Sequence, residues 1–445
     1  MNRAFLIFSV FFSLTVFSQV GPGVWQDHTS MSSCYSVTKR GEKVYASYYN
    51  GLVKVDEQEF SPQTICKING LSDIGVRLVR TNPHNNKILV IYDNSNIDVL
   101  DENDNITNYA GIKLKTFNGS KVINEVTFDK ELAYLACGFG IIVFDTDKLE
   151  IKDTYIIGPQ ASLLDVQQVA VKDSLVFAAT AIGMFKGNRT TVLNNYKNWK
   201  LDTVALPKGY YAGVVNVQGN ILGYYSDRTQ GDHDTVYQYM TNHWEKYPPF
   251  ANRGLNIMKT GPVYQNLFSV FDNTSLIVWD FNTGVLLQLH NTFQNQVSYG
   301  TRKDAHISKN YSGNITHWIA DSYFGLYRVY NYFDQTFPVN RNGTHSRYTA
   351  NIDIHNGKVA VSPSYIKNTG NGNYLKEGIN VMENQDWKYI QCKGADSNLI
   401  QDITWVFNDR LDKRIMWAAS RTYGIIKFQD NKIVRYFNPG TVPGM

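Results

Sequence analysis

The stretch Ala133-Tyr-Leu-Ala-Cys-Gly-Phe-Gly-Ile-Ile-Val-Phe-Asp145 reads as a short apolar strand, a turn with glycine at the bend and a second apolar strand, which is a β-hairpin. The phrase stands earlier as Val44-Tyr-Ala-Ser-Tyr-Tyr-Asn-Gly-Leu-Val-Lys-Val-Asp56 and as Leu89-Val-Ile-Tyr-Asp-Asn-Ser-Asn-Ile-Asp-Val-Leu-Asp101. It returns at residues 176–186, 267–280, 317–327 and 415–427, with fainter copies starting near Ile221 and Lys358. The turn positions Gly51, Asn96, Gly140 and Gly183 are 45, 44 and 43 residues apart, and Gly325 precedes Gly424 by 99, close to two periods. A repeat of this length marks stacked or radially arranged units.

Each copy is flanked by two further strands. Amphipathic segments such as Ile123-Asn-Glu-Val-Thr-Phe128 and Asp165-Val-Gln-Gln-Val-Ala-Val171 precede it, and segments such as Asn198-Trp-Lys-Leu-Asp202 and Asp386-Trp-Lys-Tyr-Ile390 follow it. Four strands in every 40 to 50 residues or so make a β-propeller blade. A sandwich or barrel would not repeat one strand-turn-strand phrase at a long fixed period, and a leucine-rich or helical solenoid has another period and visible helices. About nine such units fill residues 25–437, more than the 4 to 8 blades typical of a single ring. The expected architecture is all-β: a β-propeller of about seven four-stranded blades over residues 19–345, then the first blades of a second, incomplete propeller over residues 346–445. The loop from Arg341 to Arg347 is the expected break. Trp25-Gln-Asp-His-Thr-Ser30 reads as an isolated outer strand that would complete the last blade and close the ring. The sequence stops at Pro443-Gly-Met445 shortly after a blade, as a fragment or an early-ending copy of a longer protein would.

Composition agrees with β-structure. Of 445 residues, 29 are Tyr, 23 Phe and 8 Trp, only 18% are charged and 33 are Gly, which argues against a helical bundle, a coiled coil or a disordered chain. The formal charge of +4 comes with no clustered basic stripe, so no nucleic-acid partner is expected. At the start, Arg3 precedes fourteen mostly apolar residues, Ala4 to Phe17, followed by Ser18. That is the layout of a secretory signal peptide over residues 1–18, and fourteen helical residues span only ~21 Å against a hydrocarbon core of roughly 30 Å. No later stretch reaches the length of a transmembrane segment. Cys34, Cys66, Cys137 and Cys392 show neither metal-ligand nor disulfide-scaffold spacing. Cys137 reads as a buried core residue, and a Cys34–Cys66 bridge is left open.

No catalytic motif is present: no phosphate-binding glycine loop, G-x-S-x-G elbow, H-E-x-x-H or complete calcium loop. No catalytic, cofactor-binding or metal residue is therefore assigned, no cofactor is expected, and the ligand-binding residues stay unknown. His233 and His243 come closest to a cluster, but a polar loop accounts for them better than a metal. Asp101-Glu-Asn-Asp-Asn105 reads as the hairpin-end turn of the second blade. The pairs Tyr48-Tyr49, Tyr210-Tyr211 and Tyr224-Tyr225 could stack on sugar rings, although packing between blades with the phenol at the rim is the simpler reading.

The phrases Trp25-Gln-Asp-His28, Val44–Leu52, Lys67-Ile-Asn-Gly-Leu-Ser-Asp73, Ile91–Leu100 and Ala133–Asp145, in that order, resemble the N-terminal propeller of the PorZ family of the type IX secretion system of Bacteroidetes. The resemblance covers about the first 190 residues, beyond which only the general blade pattern remains. It implies two consecutive propellers and a small C-terminal β-domain at the outer face of the outer membrane. It further implies a non-catalytic, lipopolysaccharide-binding component of a complex with a PorU-like sortase, a PorV-like barrel and a PorQ-like protein. There cargo loses its sorting domain and gains anionic lipopolysaccharide. The chain departs from the family in ending within the second propeller, and the family has no short catalytic motif to carry over.

Three function classes follow. An exported, non-catalytic scaffold of that attachment complex, at the cell surface or alternatively in the periplasm, is the leading expectation. A glycan-sensing propeller of an envelope two-component regulator is the alternative, and would continue into a membrane helix and a kinase. A propeller lyase or glycosidase would need paired carboxylates or a Tyr/His base gathered in the central channel.

Overall fold

A computed structural model describes residues 27–438 except 29, 31, 230–232, 251–255, 273–274, 291, 294–295, 298–301, 311–312, 331–334, 340–341, 347, 369 and 397. The expected signal peptide, Trp25 and Gln26 lie outside the described residues. Among the described residues, nine four-stranded antiparallel sheets follow one another, each a meander in chain order. They span residues 34–66, 76–109, 123–155, 166–202, 211–246, 259–290, 302–338, 351–390 and 403–437, and are called blades 1 to 9.

The repeated phrase is the middle hairpin of a blade. In blade 3, Leu132–Cys137 pairs with Gly140–Asp145, and every residue of the second strand is buried. Such strands are covered on both faces by neighbouring blades, which is why they read as unbroken apolar runs. Gly140 holds φ 150°, and a Cβ there would run into the carbonyl of Tyr155 on the outer strand, so no other residue fits. Blade 2 solves the same bend differently. Asn94 Oδ1 accepts the Asn96 N–H at 3.0 Å, and Ser95 takes the positive φ of 65°.

The core lies between blades. Apolar clusters fill the junctions of blades 1 and 2, 2 and 3, 3 and 4, 4 and 5, 5 and 6, and 6 and 7. A seventh joins blade 7 back to blade 1, where Trp318 and Leu326 meet Cys34, Val53 and Val55. The Tyr48 hydroxyl accepts the Leu326 N–H at 3.0 Å, and Arg328 donates to the Glu57 carbonyl at 2.9 Å. Seven blades thus close a ring without a free sheet face at the seam.

Ring closure differs from the sequence expectation. Blade 7 draws all four strands from residues 302–338, so no place is left for Trp25–Ser30 as its outer strand. Asp27, His28 and Ser30, the described part of that segment, form no strand and turn toward blade 8. Trp387 Nε1 donates to His28 Nδ1 at 3.0 Å, and Ser30 Oγ donates to the His345 carbonyl at 2.8 Å. The seam between blades 7 and 1 is built from inter-blade packing, and the N-terminal segment ties the ring to the next unit instead.

All four cysteines are free and buried. Cys34 and Cys66 sit on the two opposite edges of blade 1, three inter-strand spacings or ~14 Å apart, beyond disulfide reach. Cys137 is fully buried, and burial pushes its thiol up to about 12, as expected of a core residue. Blades 8 and 9 share their own cluster, including Val381, Val406, Met416 and Phe428. No helix among the described residues is long and apolar enough to cross a membrane.

Candidate functional site

The innermost strands of blades 1 to 7 surround the ring axis: Cys34–Arg40, Val76–Thr81, Ile123–Asp129, Val166–Lys172, Tyr211–Val217, Lys259–Thr260 and Arg302–Lys309. Six of the seven slip register by one residue near the start of the strand, at Tyr35, Arg77, Asn124, Gln167, Ala212 and Lys303. A β-bulge bends its strand and re-aims a side chain. All six bulged residues line one cavity of about 600 Å³ at this end of the channel.

One or a few residues further along, the inner strands carry a belt of charge across the axis. Arg80 donates from Nε and Nη2 to the two oxygens of Glu125 at 2.7 and 2.8 Å, and from Nη1 to Asp304 Oδ2 at 2.6 Å. The same Asp304 oxygen accepts the Ser36 hydroxyl at 2.6 Å and the Val37 N–H at 3.1 Å. Lys259 Nζ lies 3.6 Å from Glu125 and 3.9 Å from Asp304. Blades 1, 2, 3, 6 and 7 are therefore tied through one group of charges. On blades 4 to 6, Gln168 Oε1 accepts the Thr260 hydroxyl at 2.7 Å and the Val214 N–H at 3.2 Å. A Cβ at Gly213 would strike both Gln168 and Thr260, so this close approach requires glycine.

Two cations and two carboxylates balance in the belt. Burial alone would raise Glu125 and Asp304, but Arg80 and Lys259 outweigh it and hold both carboxyls below their ordinary values. Burial opposes the charge on Arg80 as well, yet Asp304 and Glu125 leave its pKa raised. Glu125 and Thr260 line both the 600 Å³ mouth and a second cavity of about 470 Å³ that reaches toward Thr127, Asn216 and His306.

The residues singled out from the sequence fall in several places. His233 lies 3.8 Å from Asp227 and His243 lies 2.7 Å from Glu245, so each faces a carboxylate of its own. Asp101 closes the turn after the third strand of blade 2, its Oδ1 accepting the N–H groups of Asn103 and Asn105 at 2.8 and 2.9 Å. Asp104 from that turn reaches blade 1, where it pairs with Arg40 and Lys54 and accepts the Tyr45 hydroxyl at 2.7 Å. The tyrosine pairs divide. Tyr48, Tyr211 and Tyr224 are buried between blades, whereas Tyr49 and Tyr210 line the mouth. Sequence reasoning missed the bulges and the belt, whose members carry no local motif.

Residues 44–200 match the family model of the N-terminal β-propeller domain of PorZ of the type IX secretion system. No protein of curated function matches the chain by sequence. Among solved structures, the chain is similar to PorZ of Porphyromonas gingivalis, described as an essential bacterial surface component of the type IX secretion system. The TM-score is 0.75 at 18% identity over 95% of this chain and 54% of that one. An ancestral GH74 enzyme gives a TM-score of 0.54 at 15% identity, over 92% of this chain and 69% of that one. The extracellular domain of a hybrid two-component system of B. thetaiotaomicron gives 0.49 at 13%, over 92% and 53%. The chain therefore spans about half the length of the solved PorZ. Its fold is that of PorZ, and residues 44–200, which lie in blades 1 to 4 of the ring, are similar to the N-terminal β-propeller domain of PorZ of the type IX secretion system.

Proposed function

We propose that this chain is the propeller portion of an exported, non-catalytic component of the type IX attachment machinery at the cell surface. There it assists removal of the cargo sorting domain and attachment of anionic lipopolysaccharide. The match of residues 44–200 to the PorZ propeller carries this reading. In the reading, residues 1–18 direct export, residues 19–345 form the first propeller and residues 346–445 open a second. The partners are a PorU-like sortase, a PorV-like barrel and a PorQ-like protein, and the lipopolysaccharide is a ligand. The belt supports a binding role over a catalytic one. The belt carboxylates Glu125 and Asp304 are both held below their ordinary values by Arg80 and Lys259, which suits neither to donate a proton at neutral pH.

The partner assignment is tested by affinity purification of the tagged, full-length gene product from cross-linked cells. Recovery of the sortase and the barrel above an untagged control is expected. Their absence, with the tagged protein present at the surface, would refute the assignment.

A further inference from the structure

The two ends of the first ring leave apolar side chains in water unequally. Among the described loop residues of blades 1 to 7, nine large apolar side chains are exposed at the end where the inner strands begin, and only Val192, Met240 and Val285 at the other. Scattered exposure is ordinary, whereas a contiguous group marks an interaction surface. The group over blades 1 to 3 is contiguous. Ile68 and Ile74, in the connection 67–75, are 58% and 46% exposed; Leu114, in the connection 110–122, is 75% exposed; Leu163, in the connection 156–165, is 44% exposed. Lys113 Nζ donates to Asp73 Oδ2 at 2.6 Å, which joins the first two connections. Leu163 lies against Gly119, where a Cβ would meet its Cδ1 at 2.9 Å, which joins the second to the third. None of the four apolar side chains lines the channel mouth.

The loops under this patch are fixed. Lys121 Nζ donates to the carbonyls of Ile112, Lys113 and Lys115 at 3.1, 2.7 and 3.0 Å, closing the end of the short helix Gly111–Leu114. Asn94 Nδ2 donates to the same Asp73 oxygen at 2.7 Å. Leu114 is therefore held outward by a backbone that has little freedom left to lose on binding. The connections 67–75 and 110–122 carry Lys67, Lys113, Lys115 and Lys121 against Asp73 alone. Lys67 and Lys115 are exposed and make no ion pair among the described residues.

We propose that this patch docks a protein partner whose surface offers an apolar pocket to Ile74 and Leu114 and carboxylates to Lys67 and Lys115. An apolar centre with charges of one sign at its edge suits a partner of opposite sign, which the charges steer into place. The fixed loops favour a shaped protein surface over a lipid surface, which is fluid and gains nothing from a rigid backbone. The inference rests on the role proposed above and names the face through which that role is carried out.

The test repeats the affinity purification of the tagged, full-length gene product from cross-linked cells. It compares wild type with Ile74→Ser/Leu114→Ser, Lys67→Glu/Lys115→Glu and, at the opposite end of the ring, Val192→Ser/Val285→Ser. Every replaced side chain is exposed, and matched thermal midpoints and surface levels establish that the variants are folded and exported. Recovery of the sortase, the barrel or both is expected to fall at least about tenfold in each patch variant and to stay at the wild-type level in the opposite-end variant. Unchanged recovery of both proteins in either patch variant would overturn the inference and leave the proposed role standing. No recovery with wild type would refute the partner assignment and the inference with it. Binding of the purified full-length product to phosphatidylglycerol vesicles, lost in the patch variants while partner recovery is unchanged, would assign the patch to a lipid surface and overturn the inference.

Discussion

Replacing Arg80 by methionine removes the guanidinium from the axial belt while keeping much of the stem. Glu125 and Asp304, whose side chains are 8% and 4% exposed, would then face each other with Lys259 as their nearest cation, at 3.6 and 3.9 Å. Removing one partner from a buried ion pair costs about 3 to 5 kcal/mol, because the remaining charge stays buried. A loss of that size is expected at pH 7, read as a lower urea midpoint in tryptophan fluorescence. The pH dependence gives the reasoning a second handle. With Arg80 gone, the two carboxyls repel and their folded-state pKa values rise above the unfolded ones. The folded variant then binds protons more tightly than the unfolded chain, and the deficit shrinks as pH falls from 7 toward 5. In the wild type both carboxyls are held below their ordinary values, so their contribution is complete at neutral pH and fades as pH falls below about 4. The triple variant Arg80→Met/Glu125→Gln/Asp304→Asn carries no buried unpaired anion and is expected to recover most of the loss. An Arg80→Met midpoint equal to that of wild type at pH 7, or a deficit that deepens on acidification, would refute the account of the belt.

Three further outcomes are expected. Gly213→Ala places a methyl against Gln168 and Thr260 and should cost about 1 to 3 kcal/mol of stability, measurable by the same urea titration. Trp318→Ala empties the seam between blades 7 and 1, where the ring is fully buried, and should cost about 3 to 5 kcal/mol, with hydrogen exchange rising first in those two blades. Burial pushes His317 down to about 4, so the unfolded chain binds a proton that the folded chain refuses between pH 6.5 and 4. Stability from this group is complete above pH 6.5 and declines by about 1.4 kcal/mol per unit below it, a slope that His317→Gln should remove from melting curves.

The blades were legible because each hairpin is local. An apolar strand, a glycine such as Gly140 that no other residue can replace, and a second apolar strand lie within thirteen residues, and the period repeats them. Closure was not. The seam joins Tyr48 to Leu326 and Ser36 to Asp304, pairs separated by 278 and 268 residues, and nothing in either neighbourhood names its partner. The belt stayed hidden for the same reason: Arg80, Glu125 and Asp304 are single polar residues in alternating strands, and alternation alone would send them to solvent. A bulge displaces one residue, which a reading of periodicity does not register. The Trp25–Ser30 segment shows the converse error, since His28 finds its partner at Trp387 in blade 8 and not in the last blade of the ring. The tyrosine pairs were half legible, one member of Tyr48-Tyr49 packing between blades and the other standing at the mouth.

The most direct test of the proposed role is the state of secreted cargo in a strain lacking the gene. Mass spectrometry of surface and medium fractions reads whether the C-terminal sorting domain has been removed and whether lipopolysaccharide is attached. The account predicts cargo that keeps its sorting domain and lacks the modification, restored by the wild-type gene. Cargo that matures and anchors normally in the deletion strain would contradict it.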